Sequence, residues 1–261
     1  MPMAKVGEAE IFFDVTGHGS PVVVTAGQGS GPEARAELIA GLARQHTVLS
    51  YDQRGTGRST RGHQGQSMQE LAGDIVALMD AAGFDRAHVI GISTGTGKAT
   101  ALAALHPSRV TRLVLAALWT HADPDLQRIQ NLRIAAAQTL PPDHYVHLNT
   151  LLCYSTDFRR ANFARFTQLA QDALAHPQDA PGIAARLNAI LAFDARPFYS
   201  RIACPTLVMG ARDDLIMPPW YAEEAAAAIP QCKLALLDSG GHLFCETRTA
   251  EFLAQALPFL K

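Results

Sequence analysis

Cysteine is scarce in this chain, with four residues in 261. Cys153, Cys204, Cys232 and Cys245 are widely spaced and form no CxxC pair, so neither a zinc cluster nor a disulfide scaffold is expected, and free thiols are. The one close histidine pair, His144 and His147, has no cysteine or carboxylate cluster at ligand spacing, and a metal site is not expected. Long hydrophobic runs are also missing. The longest, such as Val22–Val24 and Arg112–Trp119, are strand-sized, which excludes a membrane-spanning helix. Met1–Val6 carries no apolar signal region, so a cytoplasmic protein with no membrane partner is expected. Charge of one sign is lacking too. Lys and Arg number 22 against 24 Asp and Glu, for a net charge of −2, and no basic stripe is present to hold a nucleic acid. What is abundant is apolar material, 48% of the residues, enough for the core of one large domain.

That material is arranged in short apolar runs alternating with helical stretches. Strands are expected at Ile11–Val15, Val22–Thr25, Thr47–Tyr51, His88–Gly91 and Val110–Ala116. Helices are expected at Glu33–Ala43, from Ser67 to about Ala82, and at Gly95–Leu105. Ser67 and Glu70 have the spacing of a capping box, and Gly83 follows as a stop. Alternation of this kind implies a mostly parallel sheet covered by helices on both faces. From Leu118 to Tyr199 only helical patterning is found, cut at Pro141-Pro142, His176-Pro177 and Ala180-Pro181. Alternation resumes at Thr206–Gly210, Tyr221–Ile229, Leu234–Leu237 and Thr249–Leu260. The expected organisation is an α/β core formed by residues 1–118 and 200–261, with residues 119–199 inserted as a helical cap.

The sharpest chemical signal is Gly91-Ile92-Ser93-Thr94-Gly95, between a strand and a helix. Gly-x-Ser-x-Gly in that setting is a nucleophile elbow, a strained turn presenting the serine hydroxyl beside the first amides of the next helix. A serine hydroxyl needs a base, and the base needs an orienting acid. Downstream, His242 lies in Ser239-Gly240-Gly241-His242 after a strand, and Asp213 and Asp214 follow the strand Thr206–Gly210. Both loops lie at the strand ends where open α/β sheets place their sites. Counting three residues on from Gly210 gives Asp213, and counting four back from Pro218 gives Asp214. The strand count is the more direct, so the expected set is Ser93, Asp213 and His242. For the oxyanion hole the expected donors are the amides of Thr94 and of Gln28, in the loop Ala26-Gly27-Gln28-Gly29. Asp52 and Arg54 are expected to brace their loop, and Cys245 to pack.

Taken together these elements resemble the α/β-hydrolase superfamily over nearly the whole chain. Within it, Tyr51-Asp52-Gln53-Arg54-Gly55-Thr56-Gly57, Arg212-Asp213-Asp214-Leu215-Ile216-Met217-Pro218 and Gly240-Gly241-His242 look like the RutD family of pyrimidine-utilisation hydrolases, proposed to act on aminoacrylate or carbamate. Arg186-Leu187-Asn188-Ala189 and Arg201-Ile202-Ala203-Cys204-Pro205 add to that likeness. The chain is also similar to 3-oxoadipate enol-lactonases. It departs from these families at Ala26-Gly27, where His-Gly is usual, and at Gly95-Thr96, where a double glycine is frequent. The resemblance implies a cofactor-independent serine hydrolase acting on a small ester, lactone or carbamate. Two other uses of the scaffold are compatible with the same residues, a non-catalytic ligand receptor and a cofactor-free lyase or oxygenase.

Overall fold

The computed structural model describes residues 2–27, 35–61, 67–176 and 179–261. Among them, eight strands form one sheet: β1 (Met3–Val6), β2 (Ala9–Gly17), β3 (Ser20–Thr25), β4 (His46–Tyr51), β5 (Ala87–Ile92), β6 (Val110–Ala116), β7 (Thr206–Ala211) and β8 (Cys232–Leu237). The spatial order is β1-β2-β4-β3-β5-β6-β7-β8, with β2 antiparallel to both its neighbours, β1 and β4, and every other pair parallel. Alternation along β3 shows why the strands are apolar throughout. Val23 faces one core with Val89, Leu113 and Val208, and Val22 and Val24 face the other with Val48, Ile90 and Val114. A strand buried on both faces has no polar side to show. Each such valine contributes roughly 1.5–3 kcal/mol of burial free energy.

The helices of the first half are α1 (Ala36–Ala43), α2 (Met68–Ala81) and α3 (Thr94–Leu105). Ser67 accepts from Glu70 N while the Glu70 carboxylate accepts from Ser67 N, so the capping box forms as the spacing predicts. Gly83 takes φ +73°, a left-handed stop that an L side chain would strain. α1 packs against the C-terminal helix on one face, and α2 and α3 cover the other.

Between β6 and β7 lie α4 (Pro124–Thr139), α5 (Pro142–Cys153), α6 (Thr156–Ala161), α7 (Phe163–Ala175), α8 (Ala180–Ala192) and α9 (Arg196–Tyr199). After β7 come α10 (Pro219–Ala228), α11 (Phe244–Thr247) and α12 (Thr249–Leu260). Three contacts tie the inserted helices to the segment around α11. Leu243 N donates to Cys153 O at 3.1 Å, Arg165 pairs with Glu246 at 2.5 Å, and Arg248 pairs with Asp157 at 2.8 Å.

Two elements lie outside the sequence expectations. β1 is four residues long and half-exposed, and it holds its place by pairing with β2. α11 is a single turn and leaves no periodic signal. All four cysteines are unpaired, and Cys245 packs in the core. No helix among the described residues is long and apolar enough to cross a membrane.

Candidate active site

Ser93 sits between β5 and α3 with φ 53° and ψ −125°, a conformation non-glycine residues rarely adopt. The surroundings explain how the strain is held. A Cβ on Gly95 would lie 2.0 Å from Thr25 O, and one on Gly91 would lie 2.8 Å from Gly95 O. Only hydrogen fits at either place, so the turn closes tightly over β3 and β5. The next residue in the pattern is Thr96, whose hydroxyl donates to Ser93 O at 2.6 Å and fastens the turn from behind. A methyl on Gly97 would meet the Trp119 ring at 2.7 Å, so the second small residue is needed one position later than the family habit.

The elbow places Ser93 Oγ 2.7 Å from His242 Nε2. The acid facing the other ring nitrogen is Asp214, with Oδ2 at 2.9 Å and Oδ1 at 3.1 Å from Nδ1. The expectation of Asp213 is therefore corrected. The counting rule holds but its origin moves, because β7 runs one residue further, to Ala211, and three residues on from Ala211 is Asp214. The Asp214 side chain is fully buried. Its Oδ1 also accepts from Ile216 N at 2.8 Å and Met217 N at 2.9 Å, which locks the carboxylate in place. With a carboxylate on the Nδ1 side, the Nδ1–H tautomer is favoured, leaving Nε2 to accept from the serine. Asp213 instead steadies the histidine loop, its Oδ1 accepting from Gly241 N at 2.8 Å. Gly240 and Gly241 have φ +143° and +69°, and a Cβ on Gly241 would meet Ser155 N at 2.8 Å, so the loop packs directly beneath the inserted helices.

Thr94 is the first residue of α3, where the amide has no intrahelical acceptor and the helix dipole is positive. Its amide therefore stands beside Ser93, at the N-terminal end of the helix. Gln28, the second expected donor, lies outside the described residues. Gly27 just before it abuts the serine, since a Cβ there would lie 2.9 Å from Ser93 Cβ and 3.2 Å from Oγ.

Behind this loop stands a residue that sequence reasoning did not single out. Lys98 on α3 is 1% exposed, and Nζ donates to Ala26 O at 2.9 Å and Gln53 Oε1 at 2.7 Å. It joins the Ala26-Gly27 segment to the Asp52–Ser59 loop, with the Tyr51 ring 5.7 Å away. Asp52 and Arg54 brace that loop as expected, Asp52 accepting from Arg58 Nε at 2.7 Å and Arg54 pairing with Asp74 at 2.5 Å. Burial lowers the Lys98 ammonium to about 7, against about 10.4 for a solvated lysine. Between those values the unfolded chain binds the extra proton, so stability rises with pH from about 7 towards 10 and the gain is absent below 7. From pH 6.5 to pH 9, wild type is expected to gain on the order of 2 kcal/mol relative to Lys98→Met. Urea unfolding of both proteins at the two pH values checks this, and a constant difference would contradict it.

Above Ser93 opens a cavity of about 640 Å³, lined by the core residues Gly27, Ile92 and Met217 and by α5 and α8 residues such as Tyr145 and Ile183. That volume suits a small molecule. Of the aromatic residues near the elbow and cap, Tyr154 lines the cavity, whereas Trp119 and Phe244 are fully buried in the two cores. The sequence gives no hint of the arginines at the cavity wall, because a helix arginine reads as a solvated face.

Comparison with known proteins agrees with this architecture. The family model described as alpha/beta hydrolase fold matches residues 21–249. The chain is 32% identical over 259 residues to a protein of Azorhizobium caulinodans named as a carbamate hydrolase, RutD, covering 99% of this chain and 98% of that one. A protein of the same name from Caulobacter sp. strain K31 is 34% identical over 253 residues, covering 93% of each. Among solved structures, the enol-lactonase from Burkholderia xenovorans LB400 superposes with a TM-score of 0.89 at 26% identity, covering 99% of each chain. With an eight-stranded, mostly parallel sheet, a matching family model and relatives aligned over nearly its full length, the chain belongs to the α/β-hydrolase fold family.

Proposed function

We propose that the chain is a serine hydrolase that cleaves a small ester, lactone or carbamate through an acyl-enzyme. The observation that carries this reading is the in-line contact of Ser93 Oγ, His242 Nε2, His242 Nδ1 and Asp214 at the floor of a cavity. His242 takes the Ser93 proton as Oγ attacks the acyl carbonyl, and Asp214 stabilises the imidazolium that forms. The Thr94 amide faces the oxygen where negative charge develops. His242 then gives its proton to the leaving group. Water, activated by the same imidazole, attacks the acyl carbonyl, releases the acid and restores Ser93.

The names of the relatives, carbamate hydrolase and enol-lactonase, lie within this substrate range. The cavity, about 640 Å³, lies within the range of small-molecule sites. A panel of short esters, lactones and carbamates beside long-chain esters tests the reading. Multiple turnovers on short substrates and a steep loss with chain length are expected. Tight stoichiometric binding of a panel member without turnover would replace the hydrolase reading with a receptor.

A further inference from the structure

Lys98 stands one helical turn beyond Thr94 on α3, is fully buried and does not line the cavity. Its ammonium forms no ion pair with a carboxylate among the described residues. Nζ donates instead to two neutral oxygens, Ala26 O at 2.9 Å and Gln53 Oε1 at 2.7 Å. Burying an ammonium is costly, and an apolar side chain of the same length would fill the space at less cost. What the lysine supplies here is therefore its N–H donors. The first acceptor lies next to the nucleophile, because the elbow packs on the Ala26-Gly27 peptide. A Cβ on Gly95 would lie 3.2 Å from Ala26 C, and one on Gly27 would lie 2.9 Å from Ser93 Cβ and 3.2 Å from Oγ. A methyl at position 26 offers no side-chain hydrogen bond with which to fasten that peptide. The peptide is planar and trans, so a donor fixed on Ala26 O also fixes the direction of Gly27 N–H and the distance of the Gly27 α-carbon from Oγ. Gln53, in the loop after β4, holds Nζ from a second side.

We infer that Lys98 is a positioning residue for the reaction at Ser93: its hydrogen bond to Ala26 O holds the Ala26-Gly27 peptide against the elbow and so sets how closely an acyl group meets Oγ. The inference rests on the serine-hydrolase reading and adds to it a residue that acts without touching the substrate. One helix then carries the nucleophile's turn at its start and, a turn later, the grip on the segment that faces it. Reacting atoms must be held to within a fraction of an ångström, and a small shift of a wall beside Oγ lowers the rate far more than it lowers affinity.

The test compares wild type, Lys98→Met and Gln53→Met in steady-state rates with 4-nitrophenyl acetate, in the rate of phosphonylation by a small fluorophosphonate, and in urea unfolding. Lys98→Met fills the same space without a donor. It is expected to lower kcat and the phosphonylation rate by about 10- to 100-fold, with KM changed by less than about threefold and the fold intact. Gln53→Met leaves the bond to Ala26 O in place and is expected to lose no more than about threefold in either rate. A lysine that only packs would shift the urea midpoint and leave both rates unmoved. Rates of Lys98→Met within about threefold of wild type, or equal losses in the two variants, overturn the inference while the hydrolase reading stands on wild type and Ser93→Ala. A wild type whose labelling does not require Ser93 removes the hydrolase reading, and the role of Lys98 with it. Lysine side-chain NMR spectra of the wild type, before and after phosphonylation, need no change at position 98. The Lys98 signal, set apart from the exposed Lys5, Lys233 and Lys261 by its lowered titration, is expected to move when the adduct forms while the other three stay. An unmoved Lys98 signal overturns the inference, whether or not Lys98→Met folds.

Discussion

Ser93→Ala is expected to lower kcat on a short acyl ester by on the order of a million-fold, the scale of loss when the nucleophile of a serine hydrolase is deleted. The size follows from the site. Without Oγ there is no acyl-enzyme for His242 and Asp214 to form or resolve, so removing that oxygen silences all three together, and only binding and the oxyanion amides remain to assist water. The protein is expected to stay folded. The only hydrogen bond of Ser93 Oγ among the described residues is the one to His242, worth about 1 kcal/mol. The backbone turn is held instead by Gly91, Gly95 and the Thr96 hydroxyl, none of which the substitution touches. Steady-state rates with 4-nitrophenyl acetate, beside urea unfolding of the same samples, separate loss of chemistry from loss of fold. Residual activity within tenfold of wild type would remove Ser93 from the reaction.

The second large effect distinguishes two neighbouring aspartates. Asp214→Asn is expected to reduce kcat by about 10⁴-fold, and Asp213→Asn by no more than a few-fold. The reason lies in how Asp214 is held. Oδ1 is fixed by the amides of Ile216 and Met217, and those donors would keep the asparagine oxygen in the same place. The NH2 group would then face His242 Nδ1 and donate to it, moving the ring proton to Nε2. A protonated Nε2 cannot accept from Ser93. Asp213 only accepts from Gly241 N at 2.8 Å, and an asparagine oxygen accepts equally well there. Rates for both variants under identical conditions check the assignment, and a larger loss at position 213 would reverse it.

This pair also marks where the sequence was legible. The elbow is readable because its constraints are local: two glycines pressed against backbone, a strand before and a helix after. His242 is readable because Gly240 and Gly241 must take positive φ beside it. The acid depends on where β7 ends, and strand boundaries slide by a residue because Gly210 and Ala211 are both small, buried and compatible with either state. β1 escaped notice for a related reason, being a short edge whose half-exposed residues show little pattern. Lys98 and Arg133 were illegible in principle. Each stands on a helix where a cation reads as a solvated side chain, and only the packing of distant segments shows one beneath the Ala26-Gly27 loop and the other on a cavity wall.

The departures at Ala26-Gly27 and Thr96 also take on physical meaning. Ala26 offers its carbonyl to a buried lysine, so this loop is anchored from beneath by Lys98. Thr96 satisfies its hydroxyl on the elbow itself, and Gly97 leaves room for Trp119. The local sequence differs from the family habit, and the Ser93–His242 contact is nevertheless made at 2.7 Å.

Intact mass after incubation with a small fluorophosphonate reads out whether Ser93 is an activated nucleophile. One adduct per chain on the wild type, absent from Ser93→Ala and formed far more slowly by Asp214→Asn, is the expected result. A folded wild type that acquires no adduct, or one that Ser93→Ala acquires at the same rate, would contradict the account.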